Sequence, residues 1–174
     1  MKRAALVLTV SDSVHAGTRE DASGPAVRAS LEARGWLVRV LTVPDDEQKI
    51  AGALIAAADS NEISAIFTTG GTGIAPRDVT PEATRLVIER EIPGLGEVMR
   101  FEGRKFTPRA VLSRGFAGSR SGVLIVNLPG APKGAVQSFE SIADLIPHVI
   151  DLLNGRTEHE PAGETTMDRR TSEQ

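Results

Sequence analysis

Between Phe67 and Glu82 the chain reads Thr68-Thr69-Gly70-Gly71-Thr72-Gly73-Ile74-Ala75-Pro76-Arg77-Asp78-Val79-Thr80-Pro81. Glycines in such a turn allow positive φ and close approach to a ligand, and successive N–H groups there can form a nest for phosphate or pyrophosphate. Taken singly, these glycines serve strand-to-helix geometry equally well. Their company of threonine hydroxyls, Arg77 and Asp78 favours a binding role. A P-loop is disfavoured, because Gly73 leads into Ile74-Ala75-Pro76 and not into the Gly-Lys-Ser/Thr that holds a β-phosphate and its cation.

A second acid, Asp45, follows an apolar run, where it serves equally as a helix N-cap. Asp78 has its own bland reading as a solvated loop acid paired with Arg77 or Arg85, which would add little stability. His15 stands near the same region but reads as an exposed loop residue. Met99, Phe101 and Phe106 read as packing residues.

The chemistry open to the chain is narrowed by what it lacks. With no cysteine among its 174 residues, thiolate catalysis and zinc–thiolate sites are excluded. His15, His148 and His159 have no ligand spacing, so a metal would be held by oxygen. A net charge of −3 and a pI near 5.7 argue against a nucleic-acid face. One Trp and five Phe give little stacking surface. No apolar stretch reaches the roughly 18 residues of a membrane span, and the start Met1-Lys2-Arg3-Ala4-Ala5-Leu6-Val7 is too short in apolar residues for a signal peptide. A cytoplasmic location is expected.

These residues need elements to position them. Ala4 to Val10 reads as a strand buried on both faces. Ser23-Gly24-Pro25 reads as an N-cap with early proline, opening a helix that runs to Gly35. Trp36 to Val43 is a second strand. Asp45-Asp46-Glu47-Gln48 fits a capping box with Asp45 as N-cap, ahead of a helix to about Ser60. Ala65 to Thr69 feeds the glycine turn, and Thr80-Pro81-Glu82 starts another helix with Thr80 as N-cap. A helix is expected over 97–106, a short helical piece from Pro108 through Leu112, and then a polar loop. Val123 to Leu128 is a strand, Pro129 to Gly134 a tight loop, and Ala135 to Leu153 one long helix ending at Asn154-Gly155. The alternation predicts an α/β fold of three layers, α/β/α, with a mostly parallel central sheet. One domain over 1–155 is expected, followed by a polar, disordered tail over 156–174. Such sheets bind ligands beyond the carboxyl ends of their strands, so one pocket is expected to gather the loops at Ser11, Asp45, Gly70 and Asn127.

Together Thr9-Val10-Ser11-Asp12-Ser13, Thr69-Gly70-Gly71-Thr72-Gly73, Arg77-Asp78-Val79-Thr80-Pro81-Glu82-Ala83 and Asn127-Leu128-Pro129-Gly130 resemble the Mog/MoaB family of molybdenum-cofactor biosynthesis. The likeness runs from the first strand to Gly155 and includes Pro93-Gly94-Leu95-Gly96-Glu97-Val98-Met99-Arg100 and Leu112-Ser113-Arg114. The resemblance implies a molybdopterin adenylyltransferase, with ATP and molybdopterin as substrates and Mg²⁺ as cofactor. It implies Asp45 and Asp78 as catalytic and metal-holding carboxylates. Substrate contacts would come from Ser11, Asp12, Thr69, Gly70, Gly71, Thr72, Gly73, Ser113, Arg114, Asn127, Pro129 and Gly130, with Arg77 and Arg114 as phosphate-contacting guanidiniums. A homotrimer or an assembly of trimers, and docking to a molybdate-inserting protein, are implied too. The alternatives are a non-catalytic molybdopterin-binding scaffold and a related nucleotide pyrophosphatase.

Overall fold

A computed structural model describes residues 3–156. The segment expected as a polar tail lies, beyond Arg156, outside the described residues. Six strands form one sheet: β1 (Ala4–Val10), β2 (Leu37–Val43), β3 (Ala65–Thr69), β4 (Arg90–Glu91), β5 (Ala117–Arg120) and β6 (Val123–Leu128), in the order β2-β1-β3-β6-β5-β4. The first four in that order run parallel; at one edge β5 joins β6 antiparallel and β4 joins β5 antiparallel.

Side chains alternate across a strand, so a sheet covered on both faces needs apolar residues at every position. β1 and β3 come close to this: each is buried at all positions, with Thr9, Thr68 and Thr69 the polar exceptions near their carboxyl ends. Ala5, Val7, Phe67, Leu124 and Val126 point to one layer, built from α2 (Ser23–Ala33), α5 (Pro93–Gly103), α6 (Pro132–Ile142) and α7 (Ile146–Leu153). Their neighbours Leu6, Leu8, Ile66 and Ile125 point to the other, built on α3 (Glu47–Ala58) and α4 (Thr80–Arg85). Phe67 meets Phe139 of α6 edge-to-face at 5.4 Å between ring centroids, a favoured aromatic geometry. The three-layer α/β/α expectation therefore holds. Register completes the frame: Thr9 pairs with Thr69 and Thr69 with Leu128, so Ser11, Gly70 and Pro129 leave the sheet side by side.

Several local expectations are corrected. The cap of α3 is Asp46, whose side chain accepts from Lys49 N at 2.9 Å, and the helix starts one residue later than the capping-box pattern suggests. Ser23 and Thr80 lie inside their helices. Asp21 satisfies the start of α2 by accepting from Ser23 N and Gly24 N, and the Thr80 hydroxyl is bound elsewhere. α5 begins at Pro93, at a first-turn position where proline is tolerated, and ends at Gly103. The long last helix is two, because Pro147 has no N–H to continue the ladder and its ring opposes the carbonyl of Ala143. β5 replaces part of what reads as a polar loop, and β4 adds the outermost strand of the sheet. Phe101 and Phe106 are not packed, being 65% and 62% exposed, whereas Met99 is buried.

Asp46→Ala should lower unfolding free energy by about 1 kcal/mol in urea titrations, the usual cost of an N-cap. Asp45→Ala should not show a cap-sized loss of its own.

Candidate active site

The move of the cap from Asp45 to Asp46 releases the Asp45 side chain. Asp12 N donates to Asp45 Oδ2 at 2.8 Å and Asp45 N donates to Asp12 Oδ1 at 3.0 Å, a reciprocal pair joining the ends of β1 and β2. A Cβ added at Gly71 would lie 3.5 Å from Asp45 Oδ1, so this carboxylate faces the glycine turn. Arg77 closes over the same corner by donating to Asp12 Oδ2. That guanidinium holds the Asp12 carboxyl below its ordinary 3.8, assisted by the Asp45 amide against the opposing effect of desolvation. Arg77 is correspondingly raised, chiefly by Asp12.

The turn has an ordered polarity. Gly70 and Gly71 take φ of 101° and 63°, the left-handed region that favours glycine. Every carbonyl from 70 to 73 is held by the protein. Thr80 Oγ1 donates to Gly70 O at 2.9 Å and Thr80 N to Gly71 O at 3.1 Å. Arg114 N donates to Thr72 O at 2.8 Å and Arg114 Nε to Gly73 O at 2.6 Å. By contrast, the N–H groups of Gly71, Thr72, Gly73 and Ile74 donate to no acceptor among the described residues. Consecutive free N–H groups on a fixed turn can receive an anion.

Two cavities flank the turn. One, of about 580 Å³, is lined by Ser11, Asp45, Thr69, Gly70 and Gly71 together with Arg19 and Asp21. The other, of about 410 Å³, is lined by Thr72, Gly73, Ser113, Asn127 and Pro129 with Met99 and Arg109. Gly130 and Ala131 belong to both walls. The single expected pocket is thus a pair of cavities with the turn as the ridge between them.

The remaining expected residues stand behind or beside this ridge. Asp78 lines neither cavity. Its Oδ2 accepts from Ala75 N at 2.8 Å and would lie 2.7 Å from a Cβ at Gly73, so it closes the far end of the turn. Arg114 grips the turn from behind: besides Gly73 O it donates to Asp78 O at 2.5 Å and pairs with Glu82. Asn127 is 0% exposed, and its Nδ2 donates to Thr68 Oγ1 at 3.0 Å and Thr84 Oγ1 at 2.9 Å, placing the amide in the floor.

Arg77 and Arg114, the guanidiniums named from sequence, are therefore both bound to protein groups. Arg19 and Arg109 line the cavities without a side-chain partner among the described residues. Neither was legible in sequence, because nothing in the loop Arg19-Glu20-Asp21 or in Pro108-Arg109 marks a cavity wall. Asp21 was also missed. It accepts from Thr9 Oγ1 at 2.6 Å, and its place just ahead of Ser23-Gly24-Pro25 was a usable signal for a helix-start acid.

Burial raises the Glu82 carboxyl and the bond to Arg114 lowers it; lowering prevails, from an ordinary 4.5. A carboxyl depressed in the folded state stabilises above its unfolded pKa and loses that contribution as pH falls through the folded value. The Glu82–Arg114 grip should therefore be complete at neutral pH and fail progressively below about pH 4.5. Glu82→Gln should flatten the acid limb of stability measured by urea unfolding across that range.

Comparison with known proteins identifies the family. A family model described as "Probable molybdopterin binding domain" matches residues 6–148. The molybdopterin adenylyltransferase of Helicobacter pylori strain J99 is 41% identical over 154 residues, covering 86% of each chain. Among solved structures, the molybdopterin biosynthesis enzyme MoaB of Thermus thermophilus superposes with a TM-score of 0.82 at 46% identity, over 87% of this chain and 96% of that one. The molybdopterin biosynthesis Mog protein of Mycobacterium ulcerans gives 0.82 at 36%, over 89% and 99%. With most of its length matched in both sequence and fold, the chain belongs to the molybdopterin-binding domain family that contains the MoaB and Mog proteins.

Proposed function

We propose that this protein is a molybdopterin adenylyltransferase of molybdenum-cofactor biosynthesis. A phosphate oxygen of molybdopterin attacks the α-phosphorus of ATP; the new P–O bond joins AMP to molybdopterin, the α–β bridge breaks, and pyrophosphate leaves. The observation that carries this reading is the turn of four unpaired N–H groups set as a ridge between two cavities. Joining two phosphate-bearing molecules requires one set of donors reachable from both sides. The relatives that match over the greater part of this chain and carry that enzyme's name support it.

The work assigned to the chain is positioning and charge stabilisation, with no covalent step on a side chain. Gly71, Thr72, Gly73 and Ile74 hold phosphate oxygens by backbone N–H. Arg19 and Arg109 supply the mobile cations at the cavity walls, one on each side. Asp45 and Asp78 are the catalytic carboxylates, flanking the turn at Gly71 and at Gly73.

Asp45 and Asp78 would also hold Mg²⁺. No group of three or more His, Cys, Asp or Glu converges into a cage among the described residues. A hard cation served by one or two carboxylates, phosphate oxygens and water fits that donor set. When bound, it would neutralise phosphate charge and polarise the α-phosphorus.

The same reading includes a homotrimer or an assembly of trimers, for which exposed Phe101, Phe106, Val111 and Leu112 supply apolar surface. It also includes transfer of the product to a molybdate-inserting protein, and a cytoplasmic location. No helix of the described residues is long and apolar enough to cross a membrane.

Incubation with ATP, Mg²⁺ and molybdopterin should yield adenylylated molybdopterin and pyrophosphate, detected by chromatography. Binding of both substrates without product would favour the scaffold reading, and hydrolysis of ATP alone the pyrophosphatase reading. Asp78→Asn keeps an acceptor for Ala75 N and should remain folded while turnover falls by about 10²-fold or more, the scale of losing transition-state charge stabilisation. Normal turnover in that variant would remove Asp78 from the mechanism.

A further inference from the structure

Thr80 and Thr84 lie beneath the turn and outside both cavities, and each is completely buried. A buried hydroxyl needs partners, and theirs form a directed chain. Asn127 Nδ2 donates to Thr84 Oγ1, Thr84 Oγ1 donates to Thr80 O at 2.8 Å, and Thr80 Oγ1 donates to Gly70 O. The chain begins on β6, crosses α4 and ends on the first carbonyl of the turn. Thr80 by itself holds two consecutive carbonyls, Gly70 by its hydroxyl and Gly71 by its amide, as Arg114 does the next two. A Cβ at Gly71 would collide with Thr80 Oγ1, so the hydroxyl and the left-handed glycine are fitted to each other.

We propose that Thr80 is a positioning residue for the phosphate site, acting through the Gly70–Gly71 peptides and without touching substrate. A peptide plane whose carbonyl is fixed on one side presents its N–H on the other. With Gly70 O bound from below, the peptide linking Gly70 to Gly71 directs the Gly71 N–H away from Thr80. With Gly71 O bound likewise, the next peptide directs the Thr72 N–H away as well. Arg114 does the same for the two following peptides through Thr72 O and Gly73 O. The four free N–H groups are thus a consequence of four held carbonyls. The Thr80 hydroxyl is the one side-chain group among these restraints that a conservative change can delete without altering charge.

This inference rests on the turn being a phosphate site, and its test separates the two ideas. Pyrophosphate is titrated into the full-length protein by calorimetry, and turnover with ATP and molybdopterin is measured in parallel. Thr80→Val keeps the shape and removes the hydroxyl; Thr80→Ser keeps the hydroxyl. Serine should bind pyrophosphate within about twofold of the parent. Valine should bind about fivefold or more weakly, as for loss of one ordering hydrogen bond, with KM for ATP rising more than kcat falls.

Valine matching the parent overturns the proposal, as does equal weakening in valine and serine, which would indicate packing. Should valine not fold, Thr80→Cys, with its weak S–H donor, takes its place under the same criteria. A parent protein that binds pyrophosphate without adenylylating molybdopterin would end the adenylyltransferase reading and leave the role of Thr80 standing. A parent that binds no pyrophosphate would overturn the role of Thr80, while its turnover with ATP and molybdopterin decides the adenylyltransferase reading separately.

Discussion

The backbone from Gly70 to Gly73 can face in only one direction, because all four of its carbonyl oxygens are already held. The holding groups come from two distant places in the chain, Thr80 at the start of α4 and Arg114 before β5. Through these bonds the buried start of α4 and the segment 113–115 both pack against the turn. Their convergence also accounts for Glu82, which sits partly buried because it neutralises Arg114. A turn restrained in this way loses little conformational freedom when an anion arrives, so more of the gross attraction is available as affinity.

The restraint creates an electrostatic problem that the same corner addresses. Asp12, Asp45 and Asp46 lie beside the free N–H groups of the turn, and bare carboxylates would repel any phosphate drawn there. Arg77 offsets Asp12, and Asp46 is turned onto the α3 amides. Asp45 is left with an oxygen facing the turn. Under the proposed function, a divalent cation held by Asp45 would supply positive charge against that repulsion. The parallel register of β1, β3 and β6 makes the arrangement possible, since it brings Ser11, Gly70 and Pro129 out at one level. The sheet order also sets which loops flank the turn, with β1 on one side of β3 and β6 on the other.

Much of this was readable before any coordinates. β1, β3 and β6 are short, mostly apolar runs, as a sheet covered on both faces demands, broken only by Thr9, Thr68, Thr69 and Asn127 near their carboxyl ends, and the glycine turn stands out by composition. What could not be read was which of two adjacent acids caps α3, since Asp45 and Asp46 satisfy the same pattern and differ only in where the helix begins. β5, with the sequence Ala117-Gly118-Ser119-Arg120, carries no β-branched residue and is a strand because β6 offers it an edge. Proximity in space decided the arginines. Arg114 reads as an anion ligand until its partners are seen to be carbonyls of the chain itself, and Arg19 reads as a loop cation until the cavity forms beside it. Side-chain satisfaction is a tertiary property, invisible to spacing.

The central claim is that the free N–H groups of Gly71, Thr72, Gly73 and Ile74 receive phosphate. Amide chemical shifts of ¹⁵N-labelled protein, followed while pyrophosphate and then ATP with Mg²⁺ are added, test this most directly. The account predicts that these four amides move together and saturate with one affinity, while the amides of α7 stay in place. Saturable binding that leaves all four unmoved would contradict it.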